Sequence, residues 1–406
     1  MAVFKAFQGK WSCRIYIDKL DTRTGIRSNR VDIPGVPKSG PEWVRHSILN
    51  GEPIPMSFLR NGWYCAGWSE EVGREPFART LLGNPVLLFR RQDGTATALS
   101  DACPHRFAPL HKGRLEGDRI SCPYHGLTFD ASGQCVFNPH GDGRIPPAAR
   151  LRVYPLVESQ GAVWLWMGDP DLADPTKIVD LNLVPGHVMH GYLNMKSNYL
   201  MVLDNLLDLS HAPYLHSGTL SPVGTRRETT YEATDATAKS IYKMPSVPTP
   251  ATQRPFFDGP IGDFYTTIDW TVPTVLRQFL CFTGVDRPQE EGAISRAAHT
   301  LTPQDEHTTH YFWAASRNRQ QDNAQIDAKI RSMVEYAFTN EDGPMMEACE
   351  RYMGTTDLLS LKPAFLQVDP SAVRARRTLS RLIKAEAGES PPSTESQAHA
   401  QDGQFA

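Results

Sequence analysis

The chain has no long hydrophobic run, no excess of charge of either sign and no regular cysteine spacing. Nowhere in its 406 residues do 18 apolar side chains follow one another, so no segment reads as a membrane span. The opening, Met1-Ala2-Val3-Phe4-Lys5, lacks the apolar centre of a signal peptide. Lysine and arginine number 42 against 45 aspartates and glutamates, a formal charge of −3. That balance gives no electrostatic basis for holding nucleic acid or an anionic membrane. Seven scattered cysteines do not form a disulfide framework and point to a reducing, cytoplasmic setting. Also missing are a G-x-G-x-x-G turn after a strand and the four-cysteine pattern of a plant-type ferredoxin. What remains is ample apolar content, 40% of residues, and a length that suits two domains.

Two short stretches stand out, Cys103-Pro104-His105-Arg106 and Cys122-Pro123-Tyr124-His125-Gly126. Each offers a thiolate and an imidazole, with one residue between them in the first and two in the second. Such a set can hold zinc, or a [2Fe–2S] cluster with both cysteines on one iron and both histidines on the other. Zinc sites usually pair cysteine with cysteine and histidine with histidine. Here both pairs are mixed, which favours the cluster; a zinc ribbon or unconnected core thiols is the plainer alternative. Cys13, Cys65, Cys135, Cys281 and Cys349 read as small apolar fillers or free thiols.

Short strands surround these stretches. Arg79–Leu82 and Val86–Arg91 are separated by Gly83-Asn84-Pro85, Asp93-Gly94 offers a tight turn, and Val163–Trp166 reads as a buried closing strand. A compact antiparallel β domain over residues 56–170 is expected, with the ligand pairs on its loops. Asp169-Pro170 to Asp174-Pro175 marks the boundary to a second domain over 171–386. There, strands are expected at Asp263–Trp270, Val275–Phe282, Ile294–Leu301 and His310–Ala315, and the spacing of Ile326, Ile330, Met333, Ala337 and Phe338 predicts a helix over 324–339. Residues 1–55 read as an extension and linker, which makes Met56 a candidate natural start. Residues 387–406 read as a disordered tail.

In the second domain, Asn205 to His216 carries chemistry. On a helix, Asp208 and His211 share a face; His216 lies five beyond, and Pro213 between them is expected to break or kink the helix so that both imidazoles meet. Two imidazoles and a carboxylate make an open site for non-haem Fe(II). Standing alone, two histidines at this spacing would be core or surface residues.

Taken together, these motifs resemble those of the Rieske-type non-haem iron oxygenases. The mixed Cys/His pairs resemble the cluster signature, Asn205-x-x-Asp208-x-x-His211-x4-His216 resembles the iron site, and Phe58-Leu59-Arg60-Asn61-Gly62-Trp63-Tyr64 resembles the opening of many such oxygenases. The likeness is closest to dicamba-, vanillate- and toluenesulfonate-type enzymes and runs from roughly Met56 to Ala385. It implies an α+β chain: an all-β Rieske domain, then a helix-grip domain with helices packed on an antiparallel sheet. Cys103, His105, Cys122 and His125 would hold a [2Fe–2S] cluster. His211, His216 and Asp342 would hold mononuclear Fe(II), although Gly343-Pro344 directly after Asp342 should bend the helix. Glu341 and Glu347 are fallback ligands, or simply a solvated acidic face. Asn205 and Asp208 are the implied catalytic pair; Asp208 would bridge a ligand histidine to a cluster histidine of a neighbouring subunit in a head-to-tail homotrimer. Gln278 and His299 sit where these enzymes place substrate-facing residues, although His299 reads equally well as a core histidine. The implied activity is O2-dependent O-demethylation or hydroxylation of a substituted aromatic acid, with electrons from a separate ferredoxin or flavin reductase using NAD(P)H. A cis-dihydroxylating or angular dioxygenase remains open, since no residue separates it from the monooxygenase. A Rieske electron carrier without catalytic iron is the reading from another class.

Overall fold

The computed structural model describes residues 58–216 and 228–388. The N-terminal extension, the Met56 start and nearly all of the expected tail lie outside the described residues.

Ten short strands come first. β1 (Trp63–Trp68) and β10 (Ala162–Trp166) pair antiparallel with every residue buried, because this pair is covered on both faces. β9 (Leu156–Ser159) completes that sheet. β2 (Phe77–Leu81), β3 (Asn84–Arg90) and β4 (Ala96–Ser100) form a meander. The first of its turns is two residues, Leu82 and Gly83, both at positive φ, the geometry that matches strand twist. A small sheet of β5 (Arg114–Glu116), β6 (Arg119–Ser121), β7 (Thr128–Phe129) and β8 (Cys135–Phe137) holds the second ligand pair between β6 and β7.

Beyond these lies one seven-stranded antiparallel sheet. Its strands are β11 (Val188–Met195), β12 (Glu228–Ala233), β13 (Thr237–Pro248), β14 (Ile261–Thr271), β15 (Val275–Thr283), β16 (Ala293–Asp305) and β17 (Thr308–Arg317). Six follow one another as a meander, and β11 joins at the β17 edge. The four expected strands are β14 to β17, each longer than its apolar text; β11, β12 and β13 carry too mixed a pattern to be read from sequence.

Helices Tyr199–Leu207 and Pro370–Glu386 pack against this sheet, and Leu203, Leu206 and Leu207 share a core with Ile268, Trp270 and Leu276. That core also takes in Leu81, Val86 and Leu88 from the first part of the chain. Main-chain bonds cross as well, from Leu82 N to Pro303 O (2.7 Å) and from Gly83 N to Gln304 O (2.8 Å). His310 donates through Nε2 to Thr80 O at 2.8 Å and accepts from Tyr192 OH at Nδ1. The Arg79 guanidinium stacks over Tyr192 and Phe312 at 4.7 and 5.1 Å. Among the described residues, no helix is long and apolar enough to cross a membrane.

Candidate metal centres and substrate cavity

The two Cys/His loops fold alike. In each, the cysteine N–H donates to the carbonyl five residues on (Cys103 to Ala108, 3.0 Å; Cys122 to Leu127, 2.8 Å). The amide four residues on returns to the cysteine carbonyl, from Phe107 at 2.7 Å and from Gly126 at 3.0 Å. Phe107 and Gly126, at the same position in their loops, both have positive φ. Gly126 does this without strain; Phe107 does not, and its ring is 78% exposed. Both cysteines sit in an apolar cluster with Phe89, Leu110, Ile120 and Phe129. The imidazoles lie at the loop tips with ring centroids 4.5 Å apart. His125 Nδ1 is shielded from solvent and has no protein partner, as a ligand atom would be. His140 and His111, unassigned from the sequence, brace the loops: His140 Nε2 meets His125 O at 2.8 Å, and His111 pairs with the buried Asp101.

Among the described residues, His211, His216 and Asp342 form the group whose ligating atoms lie within 4.8 Å of one another. The four Cys/His residues do not converge in that way, which fits a two-iron cluster and disfavours a single zinc. Asp342 Oδ1 is 3.4 Å from His211 Nε2 and 3.2 Å from His216 Nε2. Burial alone would raise the Asp342 carboxyl, but hydrogen bonds to His211, His216 and Asn205 outweigh it and hold it at about 2. Two imidazoles and one carboxylate on one side of a point are the donor set for Fe(II) with open positions. That convergence also weighs against an electron carrier lacking catalytic iron.

The local fold differs from expectation in three respects. First, helix Tyr199–Leu207 ends before Asp208, so Asp208 and His211 do not share a helical face. Asp208 instead caps a 3-10 turn, its carboxylate accepting from Ser210 N at 2.7 Å while its main-chain carbonyl meets His211 Nδ1. Second, Pro213 breaks no helix; it stands in the first turn of the new helix Ala212–Leu215, where proline is favoured. Third, Gly343-Pro344 does not interrupt the helical run, and a wide turn precedes it. Helix Ala324–Tyr336 widens into a π-helical turn, Ala337–Asp342, and runs on as Gly343–Met353. Gly343 N donates to Phe338 O, and a Cβ on Gly343 would sit 2.6 Å from that oxygen. Such bulges are frequent at functional sites.

Asn205 and Glu341 brace the triad. Asn205 Nδ2 donates to Asp342 Oδ1 at 2.9 Å, and Glu341 Oε2 lies 2.7 Å from His216 Nδ1. Glu341 is thus neither part of a solvated face nor turned to the ligating nitrogen. Glu347 pairs with Arg351 on an exposed face, away from the triad.

A cavity of about 300 Å³ adjoins His211, His216 and Asp342, lined mainly by apolar side chains, with Gln278 and His299 both on its wall. Tyr311 OH bonds His299 Nδ1 at 2.7 Å; with the phenol as donor, the ring proton sits on Nε2. That Nε2 is buried and has no protein partner, and burial pushes His299 down to about 4, so the ring is neutral. Trp313 Nε1, Thr266 Oγ1 and Gln253 Oε1, on the same wall, are buried without partners too. Sequence reasoning missed these three. Trp313 lies directly opposite His299 in the β16–β17 register, a pairing that the sequence does not show.

A model of the Rieske [2Fe-2S] domain matches residues 62–155, and one of the vanillate O-demethylase oxygenase C-terminal domain matches 195–385. The oxygenase component of dicamba O-demethylase from Stenotrophomonas maltophilia is 38% identical, over 82% of this chain and 100% of its own length. That of chloroacetanilide N-alkylformylase from Rhizorhabdus wittichii is 37% identical, over 81% and 97%. The crystal structure of dicamba monooxygenase bound to dicamba superimposes with a TM-score of 0.76 at 37% identity, covering 82% of this chain and 99% of that one. The chain therefore belongs to the Rieske-type non-haem iron oxygenases, with one [2Fe–2S] cluster and one mononuclear iron per chain, and is the oxygenase component of a system whose electrons come from a separate reductase or ferredoxin.

Proposed function

We propose that the chain is a cytoplasmic monooxygenase that O-demethylates or hydroxylates a substituted aromatic acid in the cavity beside His211, His216 and Asp342. The observation that carries this reading is that cavity: apolar, of small-molecule size, and ending on one side at the triad. In this reading the domains divide near residue 170, and Cys103, His105, Cys122 and His125 hold the cluster. Bound at the two centres, the metals supply single electrons and activate O2. The chain's own residues do the rest. Asn205 and Glu341 hold ligands in place, the apolar wall excludes water, and His299 Nε2–H with Gln278 receives the acid group. A hydrogen bond to a carboxylate contributes roughly 1.5–3 kcal/mol, enough to orient the ring. Hydroxylation of a carbon bearing an ether oxygen yields a hemiacetal, which collapses to a phenol and formaldehyde. Asp208, in a second concavity with His211, Met345 and Cys349, would meet a neighbour's cluster in a head-to-tail homotrimer.

The test offers methoxy-, methyl- and unsubstituted aromatic acids to anaerobically reconstituted enzyme with a surrogate reductase, NADH and O2. Formaldehyde release coupled to one methoxy acid is expected, and absent in His211→Ala with its visible spectrum intact. A product gaining two oxygens would overturn the monooxygenase reading, and turnover by His211→Ala the iron site.

A further inference from the structure

The ligand loops border two concavities that have no residue in common. One, of about 530 Å³, is lined by His105, His125, Asn138 and His140 and contains no lysine, arginine, aspartate or glutamate. The other, of about 830 Å³, opens beside Cys122 and Pro123 and is lined by Lys112, Arg114 and Arg119 against the single acid Glu116. Arg114 pairs with Glu116 at 2.6 Å. Among the described residues, Lys112 and Arg119 have no acidic partner, so two positive charges stand uncompensated there. Val136 and Phe137, 37% and 55% exposed, add an apolar edge. The whole chain carries a formal charge of −3, so this cationic hollow is a local feature and not a general tendency.

The two faces suit different occupants. The imidazole side, whose lining is uncharged and beside which the exposed Arg106 stands, fits the second copy of this chain invoked above. The cationic cysteine side fits a partner with an acidic face, and this oxygenase must receive its electrons from another protein. We propose that the concavity beside Cys122 is the docking site of the external one-electron donor, which presents an acidic face centred on an apolar patch that covers Phe137. This rests on the reading that Cys122 holds the cluster. One electron leaves the reduced donor, which is oxidised, and arrives at the oxidised cluster, which is reduced; no bond forms or breaks. Complementary charge steers such encounters, raising association rates by roughly 10 to 1,000-fold and losing that gain as salt rises.

The experiment uses the full-length holoenzyme and, as probe, a plant-type [2Fe–2S] ferredoxin kept reduced by its NADPH reductase. Stopped-flow bleaching of the oxygenase's visible spectrum gives the second-order rate at rising ionic strength. Wild type should be reduced quickly at low salt and ever more slowly as salt is added. The pair Lys112→Glu and Arg119→Glu should cost about tenfold or more at low salt and flatten the salt dependence. Its visible spectrum and reduction by dithionite should stay as in wild type. Arg119→Lys, and Lys329→Glu on a distant exposed helix face, should leave the rate unchanged. A wild-type rate indifferent to salt, a reversed pair reduced at the wild-type rate, or a ferredoxin that fails to reduce wild type would overturn the docking site. Loss of the cluster's spectrum in Cys122→Ser is the separate test of the ligand reading.

Discussion

An imidazole ligand has two nitrogens, and the one turned from the metal decides how firmly the other is aimed. His211 is held from behind by a main-chain carbonyl, His216 by the Glu341 carboxylate. A carboxylate there fixes the tautomer and makes the ring a stronger donor. Glu341→Ala should therefore weaken Fe(II) binding by about 10 to 100-fold, and Glu341→Gln by less, with the cluster spectrum unchanged. Competition against a coloured chelator measures this; wild-type affinity in Glu341→Ala would show that the carboxylate does not position His216. At this scale the sequence was informative where spacing sets local geometry, as in the two like-folded loops that carry Cys103, His105, Cys122 and His125. It was silent where a role depends on what a side chain packs beside. Glu341 looks like any helix-surface acid, and Trp313 like any core aromatic, until their partners or lack of them are seen.

Asp342 and Glu341 are adjacent, yet both face the same site. In a regular α-helix neighbouring side chains diverge by about 100°. The widened turn from Ala337 to Asp342 reduces that divergence, letting Asp342 approach both imidazoles while Glu341 braces His216. Its lower end depends on Gly343, because only a residue without Cβ can lie over the Phe338 carbonyl. Phe338 in turn packs on Tyr311 at 4.7 Å and lines the cavity. Gly343→Ala is expected to destabilise the fold by about 1–3 kcal/mol through this overlap and to loosen Fe(II) binding. A urea midpoint and an Fe(II) titration together check it; unchanged values in both would mean that the turn tolerates the extra carbon. Helical periodicity over 324–339 was readable from the sequence. The wide turn was not, since π-helical turns are rare and leave no propensity signal of their own. The strands β14 to β17 were legible for the opposite reason: aromatic and β-branched residues recur in stretches such as Phe264-Tyr265-Thr266-Thr267-Ile268 and Tyr311-Phe312-Trp313.

Across the whole molecule, two buried histidines couple stability to pH. Burial pushes both His299 and His310 from 6.5 down to about 4. Each thus stays neutral when folded but takes up a proton in the unfolded chain below pH 6.5. Their contribution is full above that pH and is lost as pH falls towards 4. Between pH 7.5 and 5 each should remove on the order of 2 kcal/mol, a sizeable part of a typical fold's margin. Urea unfolding at the two pH values should show the drop, and His310→Gln should make it smaller; an equal drop in the variant would exonerate His310. His310 stands where the cluster-bearing part meets the sheet, beside Arg79, Tyr192 and the Thr80 carbonyl. That seam is packed: Leu81, Val86 and Leu88 belong to the same apolar core as Trp270, Leu301 and Tyr311. A chain with one shared core should lose both parts together, so in a urea titration the cluster's visible absorption and the cavity's ligand binding are expected to disappear at the same midpoint.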